Sequence, residues 1–404
     1  MTETQATVDP GQTKGDEIAD LVMRRFGELQ RKRKPAVRDG GVREWTTLSG
    51  IVAERDGEMR CVCLGTGVKC LPASKVQMAN GNAIHDWHGE VLAVRAFNHF
   101  LLTECRAVAE NPGYDSFVLQ PGTGAQPFEV RDGVKLYLYS SEAPCGDASM
   151  ELTMAAQEDP TPWTTPLPSS SGDTPTLPGR QNFAQLGIVR RKPSRPDAPP
   201  SLSKSCSDKL ALRQVTSLLS SLTSLLVSPR GAYLTGIVVP EGSYVPCAFA
   251  RCFARMEAVM GDLGQGDGYT YGAMEFLTTS LTFEFSRGDG KGVAPCNVSA
   301  VWTPTLDEGL VNGVLQGKKA FTKMGASAVS RRRMWSLARE AAGLIARDER
   351  REAIDRALDA GSYAKVKEDV LLEERRRVKR LAREGALTGW VRNGGDEGFS
   401  LEAT

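Results

Sequence analysis

The chain has 404 residues, 41% hydrophobic and 25% charged, with a formal net charge of +1; this is the composition of an ordinary globular protein of one large domain or two small ones. Near-neutral charge excludes a polycation, so any nucleic-acid affinity must come from local basic patches. No apolar run is long enough to span a membrane, no solenoid repeat is present, and nine cysteines behind an N-terminus without a signal pattern predict a reduced intracellular protein of cytoplasm or nucleus, with no obligate protein partner evident.

Residues 1–45 read as an N-terminal extension. Met1 to Asp16 is polar and expected to be disordered, and a short helix follows with Ile18, Leu21, Val22 and Phe26 on one face. Arg31-Lys32-Arg33-Lys34-Pro35 reads as a solvated basic run, with nuclear import or RNA contact as the alternatives. Gly50 to Leu64 predicts a hairpin around Asp56-Gly57, with Cys61 and Cys63 as packing residues. Lys69 and Cys70 lead into a loop. Asp86 is a plausible N-cap for a helix from Trp87 to about Ala107, whose stripe is Val91, Val94, Phe97 and Leu101. His99 within it reads as a core or surface histidine.

Val134 to Ser140 alternates as a strand and delivers the chain to Cys145. A Pro/Ser/Thr-rich insertion near 155–183 is expected to be disordered. Ile188 to Arg195 is basic. Ser207-Asp208 can cap a helix running to about Val227, and a helix N-terminus at Cys206 favours its thiolate. Tyr233 to Val239, Leu277 to Phe285 and Val298 to Thr303 read as strands, and Phe249 to Met260 as a helix. Ser330 to Arg383 reads as charged helix, with Arg331-Arg332-Arg333 and Arg375-Arg376-Arg377 on solvated faces.

The chemistry concentrates in Asp86-Trp87-His88-Gly89-Glu90, Pro144-Cys145-Gly146-Asp147 and Ser205-Cys206-Ser207-Asp208-Lys209. Imidazole and thiolate suit tetrahedral zinc, and a catalytic site leaves one position open for water. His88, Cys145 and Cys206 are read as the three ligands, and Glu90 as the acid/base that moves the water's proton. A structural zinc would need a fourth protein ligand, and none stands near these segments. Zinc deaminases carry His-x-Glu and Pro-Cys-x-x-Cys. This chain keeps the first, but no cysteine follows Cys145 at the second spacing.

In one deaminase branch the second thiolate instead comes from a distant Ser-Cys-Ser-Asp-Lys, which Ser205 to Lys209 matches in full. That branch holds the tRNA-specific adenosine deaminases and the ADAR RNA-editing enzymes, and the sequence resembles it from about Thr46 to Leu401. Gly65-Thr66-Gly67-Val68-Lys69-Cys70, Ser141 to Ala148 and Gly389-Trp390-Val391 carry the same resemblance.

The resemblance implies an α/β, cytidine-deaminase-like core. It would be a mixed sheet with zinc-bearing helices on one side, extended by C-terminal helices, over residues 46–404. It implies hydrolytic deamination of adenosine to inosine in RNA, dependent on Zn2+, with a base-exposing loop at Ser194 to Asp197. It also implies a buried inositol hexakisphosphate, for which Lys69, Asp86, Arg95, Lys192, Lys209, Ser221, Arg331, Tyr363, Lys367, Arg377 and Trp390 are the candidates. His85, Val94, Leu212 and Arg213 depart from the branch's pattern. The stretch before Thr46 is shorter than a double-stranded-RNA-binding module plus its linker. The tRNA branch is therefore expected, with adenosine 37 of tRNA-Ala as the site. The alternatives are a double-stranded-RNA editor and a non-catalytic RNA-binding or inositol-phosphate-binding protein.

Overall fold

Alternating apolar residues build one mixed sheet with both faces covered. The structure, a computed structural model, describes residues 12–111, 113–156, 177–178, 185–192, 199–261, 268–288 and 292–402. Most of the expected insertion and the 194–197 loop lie outside the described residues. Within the insertion, Leu177–Pro178 pairs in parallel with Arg190–Arg191.

The chain begins with α1 (Lys14–Gly27), whose capping box joins Thr13 and Asp16. The helix therefore starts inside the stretch expected to be disordered, because Thr13 and Asp16 satisfy its first amides reciprocally. The hairpin β1 (Leu48–Arg55) and β2 (Glu58–Thr66) follows as expected, and then α2 (Gly89–Glu110) and β3 (Lys135–Ser140). Next come α3 (Cys206–Thr216), β4 (Gly236–Pro240), α4 (Pro246–Ala254), β5 (Glu275–Thr279), β6 (Val298–Thr303), β7 (Leu306–Val311) and β8 (Val314–Leu315). Four helices close the chain: α5 (Arg331–Leu344), α6 (Glu349–Leu358), α7 (Tyr363–Glu368) and α8 (Glu373–Glu384).

The sheet order is β5-β4-β3-β1-β2-β6-β7-β8. β3, β4 and β5 run parallel to one another, and the remaining pairs are antiparallel. Strand alternation sends Val52, Leu64, Tyr137 and Tyr139 to the face that α1 covers with Ile18, Val22 and Phe26. It sends Ile51, Cys63, Leu136, Leu138 and Val301 to the opposite face, onto α2 and the C-terminal helices.

Four of the boundaries differ from expectation. α2 is capped at His88 rather than Asp86, since Asp86 turns its carboxylate back to accept from the His88 amide. α3 is capped by Ser205, whose hydroxyl accepts from the Asp208 amide, and it stops at Thr216 because Ser217 takes a left-handed φ of 57°. The strand expected to reach Phe285 stops at Thr279. In the basic run, Arg33 pairs with Asp307 and is largely buried, so that run is only partly solvated. No described helix is long and apolar enough to cross a membrane, and all nine cysteines are free.

Candidate active site and the cavity behind it

Three chain segments meet at the N-terminal ends of α2 and α3. Gly89 lets the α2 end approach β1, since a Cβ there would lie 2.8 Å from the Thr47 carbonyl oxygen. Gly146 lets the Cys145 loop settle on the start of α3. Its φ is +110°, and a Cβ would meet the Ser205 Cβ at 2.4 Å. Only glycine tolerates both constraints.

The cysteines are thereby brought into contact. The Cys206 amide donates to Cys145 Sγ at 3.3 Å, and the Ser207 hydroxyl donates to the Cys145 carbonyl at 2.7 Å. Their titrations are linked. Cys145 is held well below the usual thiol range by the hydrogen bond with Cys206, against burial and with help from Lys192 and His88. Cys206 is pushed up by burial and by Cys145 beside it.

His88 Nδ1 lies 2.9 Å from Asp86 Oδ1, which leaves Nε2 as the free ring nitrogen. Asp86 also accepts from Lys192 Nζ at 2.9 Å, from the Ser203 hydroxyl at 2.6 Å and from Lys209 Nζ. Burial favours protonating Asp86, but Lys192, Lys209 and His88 hold its carboxyl well below the usual range. Lys192 also donates to Cys206 Sγ at 3.1 Å.

Glu90 is buried, and its Oε2 has no hydrogen-bond partner among the described residues. Burial and the charge of Cys145 push its carboxyl up. A buried carboxylate oxygen without a partner is costly, so this oxygen is suited to a group other than the described side chains. Among the described residues, no group of three or more His, Cys, Asp and Glu is closed up as a metal cage. The donor types and the orphaned oxygen nevertheless fit a hydrated metal ion.

Behind this point lies a cavity of ≈ 300 Å³. Arg95, Lys209, Arg213, Arg331, Arg375 and Lys379 border it, with Tyr363 and Trp390, against the two acids Asp86 and Glu90. Arg95 donates to the Val329 carbonyl at 2.7 Å. Arg213 and Arg375 each donate to the Leu219 carbonyl at 2.6 Å. Carbonyls satisfy the guanidinium donors but do not neutralise the charge. Burial and then Arg331 lower Arg95 to about 10, and burial, Arg375 and Arg95 lower Arg213 to about 9. Burial and four neighbouring cations hold Lys379 well below its usual range. Arg95, Arg213 and Lys379 keep some accessible surface, as residues bordering a cavity do.

Of the residues predicted for a polyanion, Asp86, Arg95, Lys209, Arg331, Tyr363 and Trp390 border this cavity. Lys192 stands one layer off, on Asp86. Lys69, Ser221, Lys367 and Arg377 do not border it: Lys69 bonds Asn297, Lys367 bonds Glu397 at 2.6 Å and Arg377 pairs with Glu374 at 2.6 Å. Sequence reasoning missed Arg213, Arg375 and Lys379. The apolar positions Leu372, Val378 and Ala382 mark the buried face of α8, and Arg375 and Lys379, four apart, flank it.

Comparison with known proteins fits this geometry. Residues 63–394 match the adenosine-deaminase (editase) domain. The chain belongs to that family. It is 41% identical over 287 residues to tRNA-specific adenosine deaminase 1 of Schizosaccharomyces pombe, covering 70% of this chain and 72% of that one. It is 36% identical over 239 residues to the Saccharomyces cerevisiae protein of the same name, covering 56% and 58%. The double-stranded RNA-specific editase Adar of Drosophila melanogaster is more distant, 24% identical over 260 residues, covering 60% and 36%. Within the editase family, the matched span contains all four candidate catalytic residues and all the cations that border the cavity.

Proposed function

We propose that this chain deaminates adenosine to inosine in tRNA by hydrolysis, at adenosine 37 of tRNA-Ala. The observation that carries the chemistry is the buried, unpartnered Oε2 of Glu90 beside His88, Cys145 and Cys206. The choice of tRNA is supported by the 41% and 36% identity to the two yeast relatives named for tRNA, against 24% and 29% for two relatives named for double-stranded RNA.

His88 Nε2 and the sulfurs of Cys145 and Cys206 would hold Zn2+, leaving a fourth position for water. When bound, the ion lowers the pKa of that water and so supplies a nucleophile near neutral pH. Asp86 fixes the imidazole through Nδ1, and Lys192 and Lys209 fix Asp86. The target base must leave the stack, which is easiest in a loop. Glu90 takes the proton from the attacking water and passes it to the departing nitrogen. As the new C6–O bond forms, the C6–N6 bond breaks and ammonia leaves.

The cavity would hold inositol hexakisphosphate, whose negative charge would offset Arg95, Arg213, Arg375 and Lys379, while Lys209 already pairs with Asp86 and Arg331 with Asp396. The fit rests on the excess of cations over acids and on the lowered pKa of Arg95, Arg213 and Lys379.

Inosine mapping tests the substrate. Purified protein should convert one adenosine next to the anticodon of tRNA-Ala and leave a long perfect RNA duplex nearly untouched. Equal conversion of both would overturn the tRNA assignment, and conversion of neither would overturn the enzyme.

A further inference from the structure

Each candidate zinc cysteine is followed two residues later by an aspartate: Asp147 after Cys145, and Asp208 after Cys206. Both aspartates are 0% exposed. A carboxylate in such a place persists only if it is paired and hydrogen-bonded. Both find their cation on α4 or at its C-terminal cap. Arg251 Nε donates to Asp147 Oδ2 at 3.0 Å, and its Nη2 donates to the Asp147 carbonyl at 3.1 Å. Arg255 Nη2 donates to Asp208 Oδ1 at 2.7 Å. A spacing of four places both arginines on one side of α4.

Further hydrogen bonds link the two pairs. The Gly187 amide donates to Asp147 Oδ1 at 2.8 Å, and the Gly187 carbonyl accepts from Arg255 Nη1 at 3.1 Å. The Arg190 amide donates to the other Asp208 oxygen at 3.0 Å. Glu151 takes the rest of the Arg251 fork at 2.6 and 3.0 Å. The ring therefore runs from the Cys145 loop through Gly187 and Arg255 to the Cys206 helix. Neither arginine borders the cavity, and the proton transfers assigned above do not use them.

We propose that Arg251 and Arg255 are positioning residues, and that α4 is the spacer that holds the Cys145 and Cys206 sulfurs at the separation one zinc ion requires. This rests on the zinc reading above. The two cysteine segments are far apart in sequence and touch through few bonds. A metal site, however, demands ligand distances within about ±0.2 Å. A helix gripping the aspartate beyond each cysteine supplies that precision, since the fork of an arginine fixes direction as well as charge.

The experiment follows zinc in the purified holoprotein by competition with a chelator and a colorimetric indicator. Arg251→Gln and Arg255→Gln should each weaken zinc binding by about 10–100-fold, as loss of an outer partner of a metal ligand does. Arg251→Lys should fall between, because it keeps the charge and loses the fork. Arg351→Gln, which breaks the Arg351–Asp355 pair on α6, should leave zinc binding unchanged. In cobalt-substituted protein the thiolate-to-cobalt band should shift in the first two variants even where thermal stability does not. If Arg251→Gln fails to fold, Arg251→Gln with Asp147→Asn removes both buried charges, and it should fold while still losing zinc faster. Folded variants with wild-type zinc affinity and an unshifted cobalt band would overturn the proposal, provided that Cys145→Ala loses zinc. If Cys145→Ala also keeps its zinc, the zinc reading itself falls.

Discussion

Glu90 is proposed as the proton carrier rather than as a ligand. It sits two residues after His88, in the first turn of α2, and is buried. Its buried Oε2 has no hydrogen-bond partner among the described residues. Glu90→Gln should therefore keep the fold and the zinc and lose deamination by ~10²–10⁴-fold, the usual worth of a placed proton-transfer group. Near wild-type turnover, measured by inosine release from tRNA, would remove Glu90 from the mechanism. The proposed zinc ligands should behave differently. Cys145→Ala and Cys206→Ala should each lower zinc content by elemental analysis, and full zinc in both would refute the assignment.

At the scale of elements, the start of α1 is anchored to β5 by a buried acid. Asp16 closes the capping box with Thr13 and accepts from Thr279 Oγ1 at 2.7 Å and the Ser280 amide at 2.8 Å. The Thr279 bond is the largest influence holding its carboxyl well below the usual range, against burial. A depressed folded pKa means that the fold prefers the charged form. The contribution is complete above the unfolded value of about 4 and is lost as pH falls through the folded value. Asp16→Asn should cost about 1–2 kcal/mol at pH 7, combining a cap and charge-assisted bonds. In paired melts the gap from wild type should narrow below pH 4. A gap that stays constant from pH 7 to pH 3 would show that the carboxylate charge is not what matters.

For the whole molecule, the cavity joins the two ends of the domain. Arg95 comes from α2, Arg213 from α3, Arg331 from α5, Arg375 and Lys379 from α8, and Trp390 from the C-terminal segment. Like charges repel strongly at low effective dielectric, so an uncompensated cavity would be a source of instability. That gives Arg213→Met a sign that discriminates. With a polyanion bound, losing one cation should destabilise by roughly 3–5 kcal/mol. Without one, the same change relieves repulsion and should stabilise. Denaturant melts decide the sign, and mass spectrometry after denaturation should find inositol hexakisphosphate in the wild-type protein.

The sequence by itself determined the family, because the motifs that carry it are local and lie in the span that matches the editase domain. Zinc chemistry depends on residue type and order, and His88-x-Glu90, Pro144-Cys145 and Ser205-Cys206 carry both without reference to a fold. The β1–β2 hairpin was equally legible, because the turn at Asp56-Gly57 and the apolar alternation are local. Tertiary structure alone decided where the cations point. Arg375 and Arg377 are indistinguishable as part of a basic run. The roll of α8, set by packing Leu372, Val378 and Ala382 inward, sends Arg375 to the cavity and leaves Arg377 on Glu374. Helix ends were decided in the same way, since Asp86 is a better partner for buried Lys192 than for the first amides of α2. The coupling of Asp147 and Asp208 through α4 was invisible beforehand, because it joins residues about 50 to 100 positions apart whose only common feature is where the chain brings them.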